Sequence, residues 1–431
     1  MNRSTDLCAL ITLAIASLLA ACAATANAGP LSRGAIISVE SLQDFSRQSI
    51  DADNPYLELS GPAQCDVKVV QLTYESIGLK GERQILSAAL YVPEHCPGRF
   101  PLLAQAHGTQ AEKQHLTTEV WPAYPVITFF AARGYLVVAT DYLGLGKSTF
   151  SFHPYLHADS EASAIIDSIR AAKTAARKLQ IPINDQVMLF GYSQGGHAAM
   201  AAQREIERKY RTEINLVASA PMAGPYHLTQ IFLGSWFGST AGQENTLASE
   251  LFAYTAVSYN RVYGTLYTQP QQLFAEPYAG KIEELFSGSL SILDIHEQKQ
   301  LPPGHQLSAL RNPRFTAEFL LDEKQPLRVA LKKNELLDWA PTTPTLLCGS
   351  RQDAIVDFQS SYAAQAAFRM RGVEVPVVDV ANEAPPTADG TAHHNEYQHL
   401  CFAKARAQLF DPLVRDAALA HENSTNRRAS K

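Results

Sequence analysis

The sequence lacks several features that mark large classes of protein. It contains no G-x-G-x-x-G fingerprint and no H-E-x-x-H pair, and the run from Gly144 to Ser148 lacks the upstream glycine that a P-loop needs. Charged residues make up only 18% of the 431, and the formal net charge is −6, so no basic excess is present to attract nucleic acid. We therefore expect no cofactor and no nucleic-acid partner.

Long apolar runs are also scarce. The longest, Leu7–Ala21, has 15 residues, which is too short for a comfortable membrane span and, after Arg3, is typical of an export signal. Two cleavage sites compete. Leu19–Cys22 resembles a lipobox, so that 1–21 would be a lipoprotein signal and a lipidated Cys22 would attach the protein to a membrane. Ala26–Ala28 fits ordinary cleavage, so that 1–28 would be the signal of a secreted or periplasmic protein. We favour the lipoprotein.

The distribution of apolar residues predicts an α/β fold. They make up 46% of the chain, and from residue 101 onward short apolar runs alternate with helical patterns. This rhythm predicts a mostly parallel sheet with helices on both faces, preceded by an antiparallel strand pair at residues 67–76 and 86–92. We assign 66–224 and 341–415 to this core. Residues 29–65 have no regular pattern and form an N-terminal arm, and 416–431 form a flexible tail.

A serine lies at the tip of a sharp turn, Gly191-Tyr192-Ser193-Gln194-Gly195. The apolar run 187–190 before it predicts a strand, and 196–210 after it predicts a helix. In that setting G-x-S-x-G is a nucleophile elbow, in which small neighbours permit a strained backbone and expose the hydroxyl beside a helix N-terminus. The alternative is a simple strand-to-helix turn. We predict that Ser193 is a nucleophile.

A serine nucleophile needs a base, and the base needs an acid to orient it. After such an elbow the acid comes next in the chain and follows a late strand. Asp353 follows the predicted strand 344–348 and is our choice. Asp357 competes, but it stands at the start of the predicted helix 357–371, where a carboxylate caps the N-terminus.

The base is expected between the last strand and the last helix, which we predict at residues 396–410. His394 is our choice because it is nearer the helix start and Tyr397 follows it, with His393 as the alternative; His399 falls inside the helix. These histidines and Cys401 do not have the spacing of a zinc set, so we expect no metal.

An oxyanion formed at Ser193 needs backbone donors. We predict the N–H of Gln194, which directly follows the nucleophile, and the N–H of Thr109 in the loop His107-Gly108-Thr109 after the strand 101–106. Gly108 permits a close approach of the backbone. We expect His107 to be structural and to hydrogen-bond within this loop.

Four cysteines remain after the signal, and an even number in an exported chain favours disulfides. We predict Cys65 with Cys96, because they bracket the predicted strand pair. Cys348 with Cys401 would tie together the segments that carry the acid and the base. Two buried thiols are the alternative for that second pair.

Residues 225–340 interrupt the α/β rhythm. They lack good strands, carry many aromatic residues and are too long for a structured loop, so we predict a helical cap between two core strands. Tyr259, Tyr263 and Tyr267 recur every fourth residue and are expected to share a helix face. This stripe either packs the cap onto the core or lines an acyl pocket.

Together these residues resemble the α/β-hydrolase superfamily over about residues 67–411. Within it the chain is similar to secretory lipases and bacterial esterases of the lipase-A type. The resemblance rests on these pieces: His107-Gly108, Asp141-Tyr142 with Gly144 and Gly146, His153-Pro154-Tyr155, Gly191 to Gly196, and the cap before the acid strand.

The resemblance implies a serine carboxylic-ester hydrolase that acts through an acyl-enzyme on small-molecule esters or lipids with apolar acyl groups. Fold alone does not fix the substrate. Two rivals stay open: a serine peptidase on the same fold, and a catalytically inactive lipid-binding lipoprotein.

Overall fold

A nine-stranded sheet forms the centre of the protein in a computed structural model that describes residues 31–114, 120–236, 245–383 and 390–415. Its strands, in chain order, are β1 (Ile36–Phe45), β2 (Asp66–Ile77), β3 (Arg83–Glu94), β4 (Phe100–Ala106), β5 (Leu136–Thr140), β6 (Ile183–Tyr192), β7 (Leu216–Met222), β8 (Leu347–Gly349) and β9 (Val377–Asp379). Their order across the sheet is β1-β2-β3-β5-β4-β6-β7-β8-β9. The pairs from β5 to β9 are parallel, and the pairs from β1 to β5 are antiparallel. The predicted mostly parallel sheet is confirmed.

Helices follow most of these strands. In chain order they are α1 (Arg47–Ala52), α2 (Leu57–Ser60), α3 (Val120–Phe129), α4 (Ala158–Lys178), α5 (Gln194–Glu205), α6 (Leu228–Ile231), α7 (Ala248–Tyr263), α8 (Ile282–Leu285), α9 (Ile292–Glu297), α10 (Pro313–Leu321), α11 (Pro326–Asn334), α12 (Gln359–Arg369) and α13 (Gly390–Ala405). A π-helical turn extends α5, α6 and α13, over Ile206–Tyr210, Phe232–Trp236 and Arg406–Phe410 respectively.

Both faces of the sheet are covered by apolar packing. On one face α4 and α5 bury side chains such as Ile165 and Ile169 against the strands. On the other face an aromatic cluster joins the sheet to the helices: the ring of Phe130 lies 4.3 Å from that of Phe190 and 5.5 Å from that of Phe402. Because Phe402 belongs to α13, this cluster fixes the last helix against the strand that leads to Ser193.

The N-terminal arm is more regular than its sequence suggests. Residues 36–45 form β1, which pairs antiparallel with β2 from Ile36 opposite Tyr74 to Phe45 opposite Val67. The strand is an edge of the sheet and most of its side chains are partly or fully exposed. An edge strand with polar residues on the solvent side has a weak apolar alternation, so the pattern alone did not reveal it.

The last helix begins earlier than predicted. Within the described residues α13 starts at Gly390 rather than near residue 396, so His394 lies in the helix and not in a loop before it. Its side chain therefore has the fixed direction of a helical residue.

Among its described residues the segment 225–340 contains helices, turns and one isolated antiparallel bridge between Phe274 and Arg311, and it supplies most of a buried apolar cluster. The expected three-tyrosine helix face is not formed. α7 ends at Tyr263 because Gly264 has φ 65°, so Tyr267 lies beyond the helix. The tyrosines pack the cap: Tyr259 donates to Leu156 O at 2.9 Å, and Tyr263 accepts from the side-chain amide of Asn334 at 2.8 Å.

Candidate active site

Ser193 stands between β6 and α5 in a strained conformation. Its φ and ψ are 61° and −126°, a region that residues other than glycine rarely adopt. Such a residue costs on the order of 1–3 kcal/mol and persists only where the surroundings force it. The strand–turn–helix context that the elbow motif requires is therefore present.

Three glycines make the sharp turn possible because backbone fills the space where their side chains would be. A Cβ on Gly191 would lie 2.1 Å from Gly195 O, and one on Gly195 would lie 2.0 Å from Ala106 O. On Gly196 it would lie 2.2 Å from Met222 O. The elbow is thus pressed against the neighbouring strands on either side of β6.

Asp353 and His394, which are 41 residues apart in the chain, form a buried hydrogen bond of 2.7 Å between Oδ2 and Nδ1. The other carboxylate oxygen of Asp353 accepts from the backbone N–H groups of Ile355 and Val356 at 2.8 and 3.1 Å. These donors fix the carboxylate. The His394 ring packs 4.9 Å from the ring of Tyr192, the residue before Ser193.

This geometry sets the imidazole tautomer. An ionised carboxylate accepts hydrogen bonds only, so Nδ1 of His394 carries the proton and Nε2 is left as an acceptor. Neither Nε2 nor the Ser193 hydroxyl makes a hydrogen bond to the part of the chain that the structure describes. Catalytic hydrogen bonds are often long in structures without substrate.

The other candidates for the acid and the base do not take part in this hydrogen bond. Asp357 accepts from the backbone N–H of Gln359 at 2.9 Å, at the start of α12, which is the helix-end role expected for it. His399 is stacked on Tyr56 with ring centroids 3.8 Å apart, and burial lowers its pKa to about 4. The side chain of His393 lies outside the described residues.

The predicted oxyanion donors lie beside the elbow. A Cβ on Gly108 would be 3.9 Å from Ser193 Cβ, so the loop that carries Thr109 lies against the turn that carries Ser193. Gln194 is the first residue of α5, where N–H groups have no partner in the helix. Among the described residues neither backbone N–H, that of Gln194 or of Thr109, has an acceptor. His107 hydrogen-bonds through Nδ1 to Gly108 O at 2.7 Å, within the loop as predicted.

A narrow cavity opens beside Ser193. Its volume is about 30 Å³, room for roughly two water molecules. The cap and the loops around the elbow line it, with these residues: Thr109, Tyr155, Leu156, Ser193, Gln194, Pro225, Leu228, Ile231, Phe232, Leu251, Ile355 and Val356. None of the three tyrosines expected to form a stripe is among them.

Two disulfides are formed, Cys65 with Cys96 and Cys348 with Cys401, which confirms both predicted pairings. The second joins β8 to α13. Cys348 precedes Asp353 by five residues, and Cys401 follows His394 by seven.

A buried polar network below the elbow was not predicted. Glu161 of α4 contacts Gln194 and His197 at the start of α5, and Gln194 also contacts His153. The spacing of these residues along the chain does not predict that they are in contact. The one sequence feature that could have indicated the network is Glu161, a glutamate on an otherwise apolar helix face.

Neither a metal site nor a membrane-spanning helix is present in the described part of the chain. In the described ranges no group of three or more His, Cys, Asp or Glu side chains is arranged to hold a metal ion. Nor does any helix in those ranges have the length and apolar character needed to cross a bilayer.

The sequence and fold are similar to those of known hydrolases. The family profile "Secretory lipase" matches residues 109–238. The rice cell wall degrading esterase LipA from Xanthomonas oryzae is 41% identical, with a TM-score of 0.82 over 88% of this chain and 99% of that one. Comparison with curated proteins gives no match.

Two more distant structures share the fold. A putative hydrolase from Legionella pneumophila is 24% identical, with a TM-score of 0.75 over 87% of this chain and 99% of that one. Candida antarctica lipase A is 15% identical, with a TM-score of 0.61 over 82% of this chain and 78% of that one. The expected α/β-hydrolase fold is confirmed.

Proposed function

The chain belongs to the α/β-hydrolase family of secretory lipases and LipA-type esterases, and we propose that it hydrolyses carboxylic esters with Ser193, His394 and Asp353 as its catalytic triad. Its esterase or lipase function follows from the family. The roles of the individual residues are supported chiefly by one observation, the 2.7 Å hydrogen bond that joins the Asp353 carboxylate to His394 beside the elbow.

In the first step the Ser193 oxygen attacks the ester carbonyl carbon, and His394 Nε2 takes the hydroxyl proton. The imidazolium that forms is stabilised by the Asp353 carboxylate at Nδ1. The backbone N–H groups of Gln194 and Thr109 bind the oxyanion of the tetrahedral intermediate. His394 then gives its proton to the leaving alkoxide, so an alcohol departs and Ser193 carries the acyl group.

In the second step water attacks the acyl-enzyme. His394 takes a proton from the water, the tetrahedral intermediate forms again on the same donors, and its collapse releases the carboxylic acid while the proton returns to Ser193 Oγ. The step consumes only water: one water proton passes through His394 to Ser193 Oγ and replaces the proton that left with the alcohol, so the enzyme returns to its starting state. The buried state of Asp353 keeps competing water from the carboxylate during both steps.

The cavity beside Ser193 supports a preference for short acyl chains. Its apolar wall suits an acyl group, but a volume of about 30 Å³ leaves no space for a long chain unless the cap side chains move. Because the related LipA is described as degrading rice cell wall, esters of plant wall polymers are also candidate substrates.

Export of the protein is consistent with membership of a secretory family. We propose attachment through a lipidated Cys22, supported by the lipobox at Leu19–Cys22. Intact mass of the mature N-terminus distinguishes a lipid-modified Cys22 from a free Gly29, and a free Gly29 would contradict attachment.

The triad assignment is tested with p-nitrophenyl esters from acetate to palmitate. We expect the wild type to turn over the short esters and to be labelled by a fluorophosphonate probe, and Ser193→Ala to lose both properties while keeping its melting temperature. Turnover by Ser193→Ala would reject the assignment. Lack of activity and of labelling in the wild type would favour an inactive binding protein.

A further inference from the structure

A single buried carboxylate, that of Glu161, contacts two residues of the helix that follows the nucleophile. Its Oε1 accepts a hydrogen bond from Gln194 Nε2 at 2.9 Å, and its Oε2 lies 2.7 Å from His197 Nδ1. All three side chains are almost fully buried. Gln194 and His197 are three residues apart, so they present the same face of α5 to α4. The carboxylate therefore joins the first turns of the two helices.

The acceptors around His197 fix its protons. Nε2 lies 2.9 Å from the carbonyl oxygen of Asn334, so it donates there. One further proton then lies between Nδ1 and the Glu161 oxygen. That contact is a hydrogen bond whichever of the two atoms holds the proton, and it ties the fourth residue of α5 to α4.

The side chain of Gln194 is held from two directions. His153 donates through Nδ1 to Leu143 O at 2.9 Å, which leaves Nε2 to accept from Gln194 Nε2 at 2.8 Å. Burial lowers the pKa of His153 to about 4, so this ring is neutral near neutral pH and remains an acceptor. Both amide protons of Gln194 are thus used, one on His153 and one on Glu161.

This arrangement leaves a polar atom unsatisfied. Gln194 Oε1 is buried and has no hydrogen-bond partner among the described residues. Burial of an unpaired acceptor is unfavourable. The opposite amide orientation would place Gln194 Oε1 against Glu161 Oε1, and two acceptor oxygens repel each other. The two hydrogen bonds that the Gln194 amide nitrogen donates to Glu161 and His153 therefore outweigh the cost of leaving its oxygen without a donor.

We propose that Glu161 is a positioning residue that holds the backbone N–H of Gln194 where the oxyanion forms. The proposal rests on the function given above, in which that N–H is an oxyanion donor. Ser193 has positive φ, and the next peptide must keep its direction against this strain. Glu161 opposes relaxation of this strained turn because it is hydrogen-bonded to the side chain of Gln194 and, one helical turn later, to that of His197. Glu161 itself has no contact with the reacting atoms.

Glu161→Ala is the direct test, measured with p-nitrophenyl butyrate. We expect kcat to fall on the order of 100-fold, the effect of a misplaced catalytic group, with little change in KM. Butylboronic acid forms a tetrahedral adduct with a serine whose oxygen occupies the oxyanion site. Its inhibition constant should rise by the same factor as kcat falls, whereas a merely structural role would lower the melting temperature alone.

Glu161→Gln is the conservative variant. Its side-chain oxygen keeps the bond from Gln194, and its amide nitrogen donates to Nδ1 of a neutral His197. We expect it to restore kcat and boronate inhibition to near the wild-type values. Equal losses in Glu161→Gln and Glu161→Ala would overturn positioning through these hydrogen bonds.

Asp167→Asn is the matched control. Asp167 lies on the same helix, is equally buried and binds Arg33 and Arg170 at 3.0 and 2.7 Å, away from the elbow. It should lose stability while keeping kcat and boronate inhibition. If Asp167→Asn lost as much kcat as Glu161→Ala, the proposal would be overturned, because the loss would then follow from destabilisation of α4 and not from the contact of Glu161 with Gln194.

Should Glu161→Ala fail to fold, Gln194→Ala makes the same test, since it removes the tethered side chain and keeps the backbone N–H. We expect the same loss of kcat and of boronate affinity. Wild-type values in Gln194→Ala or in folded Glu161→Ala would overturn the proposal while leaving the esterase intact. Turnover by Ser193→Ala would instead remove the proposed function, and this inference with it.

Discussion

The disulfide between Cys348 and Cys401 joins the strand that leads to Asp353 to the helix that carries His394. The two residues of the 2.7 Å hydrogen bond are therefore also linked covalently, through a short path on each side. A disulfide at this place restricts the motion that would separate Asp353 from His394, the acid and base that we propose.

Removal of that disulfide should affect activity as well as stability. We expect Cys348→Ala/Cys401→Ala to lose about 4 kcal/mol of stability, from the entropy of a 53-residue loop, and to lower kcat because Asp353 and His394 move apart more often. The control is Cys65→Ala/Cys96→Ala, whose 31-residue loop predicts a similar stability loss of about 4 kcal/mol. Urea unfolding and p-nitrophenyl butyrate turnover give both quantities. Equal kcat in the two double variants would contradict the link to catalysis.

Asp353→Asn should lower kcat by roughly 10⁴-fold, because an amide no longer holds His394 in the tautomer that leaves Nε2 free. His394→Ala should be at least as inactive, and the double variant should be no worse than His394→Ala alone, since the residues act as a unit. Asp357→Asn is the control and should keep wild-type turnover. If Asp357→Asn lost activity and Asp353→Asn kept it, Asp357 and not Asp353 would be the acid that orients His394.

Chain-length preference should change when the cavity is enlarged. Leu251 lines it from α7, and Leu251→Ala is expected to raise kcat/KM for octanoate relative to acetate esters. The substitution should cost about 2–5 kcal/mol of stability. Leu310→Ala, in the cap core but outside the cavity wall, should cost a comparable amount and leave the preference unchanged. An unaltered ester profile for Leu251→Ala would show that the acyl chain lies elsewhere.

Acid should destabilise the protein partly through His399. Burial lowers its pKa from 6.5 to about 4, so between these values the unfolded chain binds a proton that the folded chain does not. Stability therefore falls as pH falls from 6.5 towards 4, by up to roughly 3 kcal/mol. His399→Leu, which carries no proton at any pH, should show a smaller decrease in melting temperature over this range. If the melting temperatures of the wild type and His399→Leu fell equally between pH 6.5 and pH 4, His399 would not contribute to acid destabilisation.

The predictions made for the site depend on local signals in the sequence. The elbow is contiguous in sequence, and the proposed acid Asp353 is indicated by its position after an apolar strand, where this fold is expected to carry its acid. The proposed base His394 is indicated by its nearness to the predicted start of the last helix, although that helix begins at Gly390 and includes His394. Gly264 shows the limit of periodicity: a glycine able to adopt positive φ ended the helix and removed Tyr267 from the stripe.

The remaining features depend on contacts between distant segments. β1 is stabilised by pairing with β2 rather than by its own pattern. Glu161 meets Gln194 across 33 positions, on helices whose mutual packing no local rule specifies. The role of a buried polar residue such as Glu161 can be inferred only when its hydrogen-bond partners are known.

The crowding around the elbow glycines has a consequence for how such an enzyme acquires new substrates. The space that a side chain would need at Gly191, Gly195 or Gly196 is filled by a peptide oxygen, of the elbow itself for Gly191 and of a neighbouring strand for the other two, and no rotamer change can displace it. The reacting end of the site therefore offers no room for adjustment. Divergence in substrate use has to come from the cap, where side chains rather than main chain form the wall, so this is the region to randomise when a different ester is wanted.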